Sequence, residues 1–247
     1  MDFDPLLDAA RKLVDDGITP ACQLAVARDG DIVCFETFGA ATTDTRFCVF
    51  SATKPIVASA VWLLIGEGLL DEEQDNIAPG VPLGTVPADS PLPTVDTAIL
   101  NRPDVRAAGV PGGGAIMTAA TMARFYQALL HDSEKARPNR VWDAGVLHDA
   151  KTNIRCRLLD PLMQVAANRS IGLVLAGDDG LHQFRYAMFG RDNSPGSFGH
   201  AGAHCQVAWA DPATGISFSF LKNGLQADMM ADALKVIPIT DAAAALR

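Results

Sequence analysis

Residues 47–55 read FCVFSATKP and contain a serine and a lysine three positions apart, Ser51 and Lys54. The apolar residues that follow predict a mostly buried helix over residues 54–69. A spacing of three places the hydroxyl and the amine on one helix face, with Cβ atoms about 5–6 Å apart. Serine needs an adjacent base to become a nucleophile, and a lysine can serve only when its amine is neutral. Burial favours the neutral amine because it lowers the pKa.

The same pair also has a purely structural interpretation. Ser51 would then cap the helix, and Lys54 would be a surface lysine one turn later, since S-x-x-K patterns often arise by chance. In the chemical interpretation, the helix N-terminus near Ser51 favours developing negative charge. The rest of the sequence has to decide between the two.

Alternation of apolar and polar residues predicts two β-hairpins, one near each end of the chain. The first pairs residues 22–28 with 31–39 around an Asp-Gly dipeptide, which is a strong hairpin signal. The second pairs residues 204–210 with 216–221 around the turn sequence DPATG. Helical periodicity predicts three further segments, residues 4–14, 117–130 and 226–237.

Strands at both ends with helices between them predict an α+β fold, in which one antiparallel sheet is built from both termini and flanked by helices. We assign residues 1–50 and 198–247 to the sheet region and residues 51–197 to an inserted, reduced helical region. Residues 72–114 of this region form a connector rich in proline and glycine without clear periodicity. A structureless stretch of that length is unusual in a compact domain, and its composition suits a lid.

Composition narrows the partners and the location of this chain of 247 residues. The excess of 29 Asp and Glu over 20 Lys and Arg gives a formal charge of −9, which disfavours nucleic acid and anionic membranes as partners. The longest nearly apolar run, residues 55–65, is much shorter than the about twenty residues of a bilayer span. With no signal-peptide pattern at the acidic N-terminus, we expect a cytoplasmic protein with reduced cysteines.

The sequence predicts neither a metal nor a cofactor. His200 and His204 suggest a metal pair, yet four residues along a strand span about 13 Å, whereas zinc ligands lie about 2 Å from the ion. The glycine run at residues 112–114 lacks the lysine and the spacing of phosphate-binding loops.

Two motifs resemble the serine β-lactamase and penicillin-binding-protein superfamily, above all class C β-lactamases, DD-peptidases and β-lactamase-like carboxylesterases. Residues 47–55, followed by WLLIGEGLLD at 62–71, resemble the nucleophile helix of that superfamily. FGHAGA at residues 198–203, followed by WADP at 209–212 and GI at 215–216, is similar to the strand that lies beside the nucleophile. That strand carries Lys-Thr-Gly in many members and His-x-Gly in others.

A third, softer match supports the resemblance. PGGG at residues 111–114, before TAATMARFY at 118–126, resembles the stretch that leads into a later helix of the family. Together the matches cover about two thirds of the chain in the family's order, and their joint occurrence is more specific than any single motif.

The resemblance implies a role for five residues. Ser51 would be the acyl-forming nucleophile and Lys54 its base, while His200 would face them, orienting a carboxylate or relaying a proton. The backbone N–H groups of Ser51 and Ala203 would form the oxyanion hole, where each donor contributes about 3–4 kcal/mol in comparable enzymes. Gly202 would lie where the substrate backbone approaches the strand closely.

The sequence departs from the family at one motif. Members carry Tyr-x-Asn or Ser-x-Asn roughly a hundred residues after the nucleophile, and this motif passes a proton to the leaving group. The sequence holds only two tyrosines, Tyr126 and Tyr186, and neither matches. The difference falls in the connector at residues 72–114, so either the shuttle is lost or a segment is absent from this chain.

The leading hypothesis is therefore a β-lactamase-like serine hydrolase that acts through an acyl-enzyme on esters, β-lactams or D-alanyl amides. Small esters are favoured, because the strand motif has no lysine and no export signal is evident. The expected partner is a small-molecule ester or a β-lactam-like substrate. The alternative is a catalytically impaired penicillin-binding-like relative that serves as a binding or interaction module. A plain α+β domain with coincidental motifs is the third interpretation.

Overall fold

The computed structural model describes residues 1–71, 97–131, 141–226 and 228–247. These ranges form the helices α1 (Asp4–Asp15), α2 (Lys54–Gly66), α3 (Pro103–Ala108), α4 (Ala119–His131), α5 (Ala144–Thr152) and α6 (Met229–Ala244). Short 3-10 turns cover Phe50–Thr53, Thr97–Asn101 and His182–Phe184. No helix in the described ranges has the length and apolar character needed to cross a membrane.

The strands in the same ranges are β1 (Ala21–Arg28), β2 (Asp31–Gly39), β3 (Phe47–Cys48), β4 (Ile116–Met117), β5 (Val174–Leu175), β6 (Phe198–Gly202), β7 (Gln206–Asp211) and β8 (Ile216–Lys222). Six of them form one sheet in the order β2-β1-β8-β7-β6-β5, and β3 pairs separately with β4. All neighbouring strands of the large sheet are antiparallel, including β1 beside β8 from the other end of the chain. The α+β fold with a sheet built from both termini is confirmed.

Helices cover both faces of the large sheet. On one face α1 and α6 pack together over a core that contains Leu6, Phe218 and Ile239. On the other face α4 lies across the middle strands, and its Tyr126 shares a second core with Trp62 of α2. Because successive side chains of a strand point to opposite faces, β1, β7 and β8 contribute to both cores.

The two predicted hairpins are confirmed. Two helices, α2 and α6, differ from the prediction in their ends or in the side chains they bury. α6 continues through Pro238, because Ile239 and Ala243 are buried against the sheet and this packing outweighs the missing backbone donor. α2 ends at Gly66, and its Leu63 and Leu64 are exposed rather than buried.

The division between sheet and helical regions stays a prediction. β5 belongs to the sheet although its residues fall within 51–197, the range assigned to the helical region. Residues 72–96 of the connector lie outside the described residues. Its remaining part contains α3 and leads into β4, which pairs with the segment just before Ser51.

Candidate active site

Ser51 lies in a single 3-10 turn that leads directly into α2. In such a turn, residues three apart are stacked one above the other. Lys54 Nζ lies 2.7 Å from Ser51 Oγ, so the structure brings together the pair that the spacing predicts. Phe50, immediately before the serine, has a positive φ of 46°, a conformation that costs a non-glycine residue energy and is frequent at functional sites.

The glycine-rich segment before β4 holds the nucleophile segment in place. The Lys54 amine donates to the carbonyl oxygen of Gly112 at 2.8 Å. The Ala115 N–H donates to the Thr53 hydroxyl at 3.0 Å, and the Val49 N–H donates to the Ala115 carbonyl at 3.0 Å. The stretch at 111–114 therefore contributes a backbone acceptor to the site, a role that its sequence did not predict.

The surroundings of Lys54 favour a neutral amine. Burial lowers the pKa of Lys54, and the positive charge of Arg169 lowers it further. A neutral amine keeps a lone pair for the Ser51 proton while one N–H donates to the Gly112 carbonyl. The pair therefore has both features that the sequence led us to expect: a short distance between the Ser51 hydroxyl and the Lys54 amine, and a lowered pKa of Lys54.

His200 lies on β6 and is almost fully buried. Burial lowers the pKa of His200 to about 4, so the ring is neutral near pH 7. Its Nδ1 lies 2.6 Å from the Ala201 carbonyl, which places the proton on Nδ1 and leaves Nε2 as an acceptor. A neutral ring offers no positive charge to a carboxylate but can still form hydrogen bonds, so orienting a carboxylate and relaying a proton stay predictions for His200.

Gly202 ends β6 beside the nucleophile segment. A Cβ atom there would lie 2.0 Å from the Val49 carbonyl oxygen and 3.1 Å from the Phe50 Cβ. Close packing of the protein's own backbone is thus sufficient to require a glycine here, and the approach of substrate to this strand stays a prediction. This packing sets β6 against the turn that carries Ser51.

Ala203 follows β6 and begins the turn into β7. The turn is tight, since His204 and Cys205 both have positive φ values, 58° and 63°. Ala203 lines an apolar cavity together with Tyr186. The oxyanion hole from the N–H groups of Ser51 and Ala203 stays a proposal.

Tyr186 is the site residue that the sequence analysis missed. Its hydroxyl interacts with that of Ser51, and this interaction lowers the pKa of the phenol. Its ring meets the His200 ring edge-on at 5.4 Å between centroids. Burial raises the pKa of Tyr186. The interaction with Ser51 and the positive charge of Arg169 lower it, but burial has the larger effect. The phenol is thus neutral and can donate to the serine oxygen.

A buried arginine anchors the segment that carries Tyr186. Arg185 donates to the Ala176 carbonyl at 2.7 Å and forms an ion pair with Asp179. On the other side of the phenol, the guanidinium of Arg169 lies 5.7 Å from the centre of the Tyr186 ring. The sequence contains two tyrosines, and Tyr186 is the one that precedes β6 by a short loop. This position is the one sequence signal that could have indicated its place in the site.

A metal centre is not formed by the described part of the chain. Within it, no three His, Cys, Asp or Glu side chains are grouped so that they could hold an ion. His204 instead packs edge-on against Phe50 at 5.6 Å.

The antiparallel sheet, the turn into α2 and the serine–lysine contact together define the β-lactamase and transpeptidase-like class of fold. A family model described as Beta-lactamase matches residues 7–75 and 75–239. The chain therefore belongs to the beta-lactamase family. No curated protein matches the sequence.

Solved structures with the same fold come from several kinds of hydrolase. A family VIII carboxylesterase has a TM-score of 0.72 at 16% identity, covering 98% of this chain and 96% of its own. A penicillin-binding protein homologue from Caulobacter crescentus has a TM-score of 0.69 at 17% identity, with 99% and 97% covered. A beta-lactamase from Mycobacterium bovis has a TM-score of 0.64 at 20% identity, with 95% and 97% covered. At these identities the likeness shows the fold.

Proposed function

We propose that this protein is a serine hydrolase that cleaves esters through an acyl-enzyme on Ser51. The observation that carries the proposal is the 2.7 Å contact between Lys54 Nζ and Ser51 Oγ at the start of α2. A serine hydroxyl with a partly buried amine at hydrogen-bond distance is the arrangement that nucleophilic catalysis needs. The carboxylesterase among the similar folds supports the same reaction class.

The reaction starts with proton transfer from the Ser51 hydroxyl to the neutral amine of Lys54. The serine oxygen attacks the ester carbonyl, and the N–H groups of Ser51 and Ala203 stabilise the oxyanion. Collapse of the intermediate expels the alkoxide, which takes the proton from the Lys54 ammonium and leaves as the alcohol. A water molecule then loses a proton to Lys54 and attacks the acyl-enzyme. The bond from the acyl carbon to Ser51 Oγ breaks, the serine oxygen takes the proton back from the Lys54 ammonium, and the acid is released.

Esters are favoured over D-alanyl amides because of the charge state of the site. The strand motif carries His200 where many relatives have lysine, and burial keeps this ring neutral. Arg169 lies near the site, but its guanidinium is 3.3 Å from the Asp160 carboxylate, which offsets its charge. A neutral ester needs no cationic partner.

The second candidate function is binding without turnover. It is favoured by one observation, the missing Tyr-x-Asn motif, since the family uses that motif to protonate the leaving group. Acylation followed by very slow release of product would then make the chain a binding or interaction module.

Labelling with a fluorophosphonate, together with turnover of p-nitrophenyl butyrate, tests the proposal. We expect one phosphonate per chain in the intact mass, located on Ser51 by peptide mapping, and steady release of p-nitrophenol. The control is Ser59→Ala, since Ser59 lies on the same helix but its hydroxyl donates to the Ile56 carbonyl at 2.7 Å. A Ser51 adduct without turnover would support the binding module, and labelling at another residue would contradict both.

Tyr186→Phe should lower kcat for ester hydrolysis about 10–100-fold, because it removes the phenolic hydroxyl that interacts with Ser51, and polar interactions with developing charge are the stronger ones. The ring, and with it the packing against His200, is retained. The matched control is Tyr126→Phe, which alters a tyrosine in the core under α4 and should leave kcat unchanged. Equal loss in both variants, measured with p-nitrophenyl butyrate, would show a general packing effect.

A further inference from the structure

We infer that the apolar cavity next to Tyr186 binds the acyl chain of the ester and selects uncharged acyl groups of up to about six carbons. The inference rests on the proposed function, since it names the substrate class of the same site. Its basis is a cavity that adjoins the turn carrying Ser51 and is lined mostly by aliphatic and sulfur-containing side chains.

The cavity has a volume of about 150 Å³. Tyr186, Ala203 and Gly202 line it, and Gly202 packs against Val49 and Phe50, the two residues before Ser51. Apart from His204, the rest of the wall is apolar or sulfur-containing: Leu162, Met163, Met188, Ala201, Cys205, Met230 and Ala233. A dry apolar cavity of this volume holds a benzene-sized group of about six carbons.

The lining carries no acidic or basic side chain other than His204 among the described residues. Burial lowers the pKa of His204, and it raises the pKa of Cys205 to about 12, so both side chains are neutral near pH 7. A carboxylate or ammonium placed there would be buried without a partner, which is strongly unfavourable. The cavity therefore rejects charged acyl groups and accepts hydrocarbon chains.

The acyl chain, rather than the alcohol, is the group that fits this position. The departing alkoxide must receive a proton from Lys54, which is an exposed residue beside the Gly112 carbonyl. The alcohol therefore leaves on that open side. The acyl group stays attached to Ser51 until water attacks, and burial in the cavity stabilises it through both steps.

Hydrolysis of p-nitrophenyl acetate, butyrate and hexanoate tests the inference. With a constant leaving group, we expect kcat/KM to rise about fourfold per buried methylene up to hexanoate. Ala233→Leu narrows the cavity and should flatten this rise. Acetate esters of ethanol, butanol and hexanol serve as the second series, and their kcat/KM should not rise with the length of the alcohol.

A second measurement detects binding of an ester in the cavity without hydrolysis. In the Ser51→Ala variant, labelled with ¹³C at the methionine methyl groups, ethyl hexanoate should shift the signals of Met163, Met188 and Met230. The signal of Met122, buried under the sheet on the other core, is the control and should stay in place.

The outcomes separate this inference from the proposed function. If no ester is hydrolysed but the three methionine signals shift, the proposed hydrolase activity is wrong and the cavity still binds the chain. If esters are hydrolysed with a flat acyl series, or kcat/KM rises with the length of the alcohol, the cavity does not hold the acyl chain. Unshifted methionine signals with saturating ester would overturn the inference on their own.

Discussion

Ser51→Ala is expected to lower kcat/KM for p-nitrophenyl butyrate by about 10⁴–10⁶-fold, the range seen when an enzyme of this kind loses its nucleophile. In the proposed mechanism the Ser51 oxygen bonds to the acyl group, and no other hydroxyl of the described residues lies at hydrogen-bond distance from the Lys54 amine. Alanine fits the same 3-10 turn, so the fold should be preserved. Residual activity would come from binding and from the oxyanion hole.

The measurement combines steady-state kinetics with a thermal melt of the same preparation. Ser59→Ala on α2 is the matched control and should keep native kinetics, because its hydroxyl bonds within its own helix. Native activity in Ser51→Ala with an unchanged melt would mean that hydrolysis takes place at another residue.

Lys54→Met should reduce kcat/KM by about 10³–10⁴-fold, since it removes the base while keeping an unbranched chain of similar length. Lys54→Arg should not restore activity, because a guanidinium does not lose its proton in proteins and cannot accept one from Ser51. The control is Lys12→Met, which removes an exposed lysine that pairs with Asp16 on α1. A Lys54→Met variant that retains native kcat/KM would show that the amine is not the base.

The pH dependence of kcat/KM tests the same requirement for a neutral Lys54 amine. The active form has a neutral amine, so kcat/KM of the native protein should fall tenfold per unit as the pH drops below the pKa of Lys54. Burial and the charge of Arg169 place that pKa below its ordinary value. Arg169→Gln removes a positive charge, so the pKa of Lys54 should rise and the acid-side limb should move to higher pH. A limb that stays in place would exclude Arg169 as a cause.

Some features of the site follow from the sequence because they are local. The contact of Ser51 with Lys54 depends on a spacing of three residues at the start of a helix, and this spacing alone brings the two side chains within reach of each other. The strands of the large sheet are likewise encoded locally, by alternation and by turn residues, and their pairing follows from burying the apolar faces.

Other features depend on segments that are distant in sequence. Tyr186 reaches Ser51 because the buried Arg185 fixes a loop just before β6, and no motif marks that position. Gly112 contributes its carbonyl because β4 pairs with β3, and the reason for Gly202 becomes visible only where Val49 lies against it.

The antiparallel sheet, the order of the elements and the serine–lysine pair are predictable from the sequence, because periodicity and short spacings dictate them directly. Three other properties depend on the folded chain as a whole: which tyrosine meets the nucleophile, the neutral state of the His200 ring and the apolar cavity beside the site. Burial and contacts between distant segments set these properties. They arise where the loop before β6 and the helix α6 pack beside the end of β6.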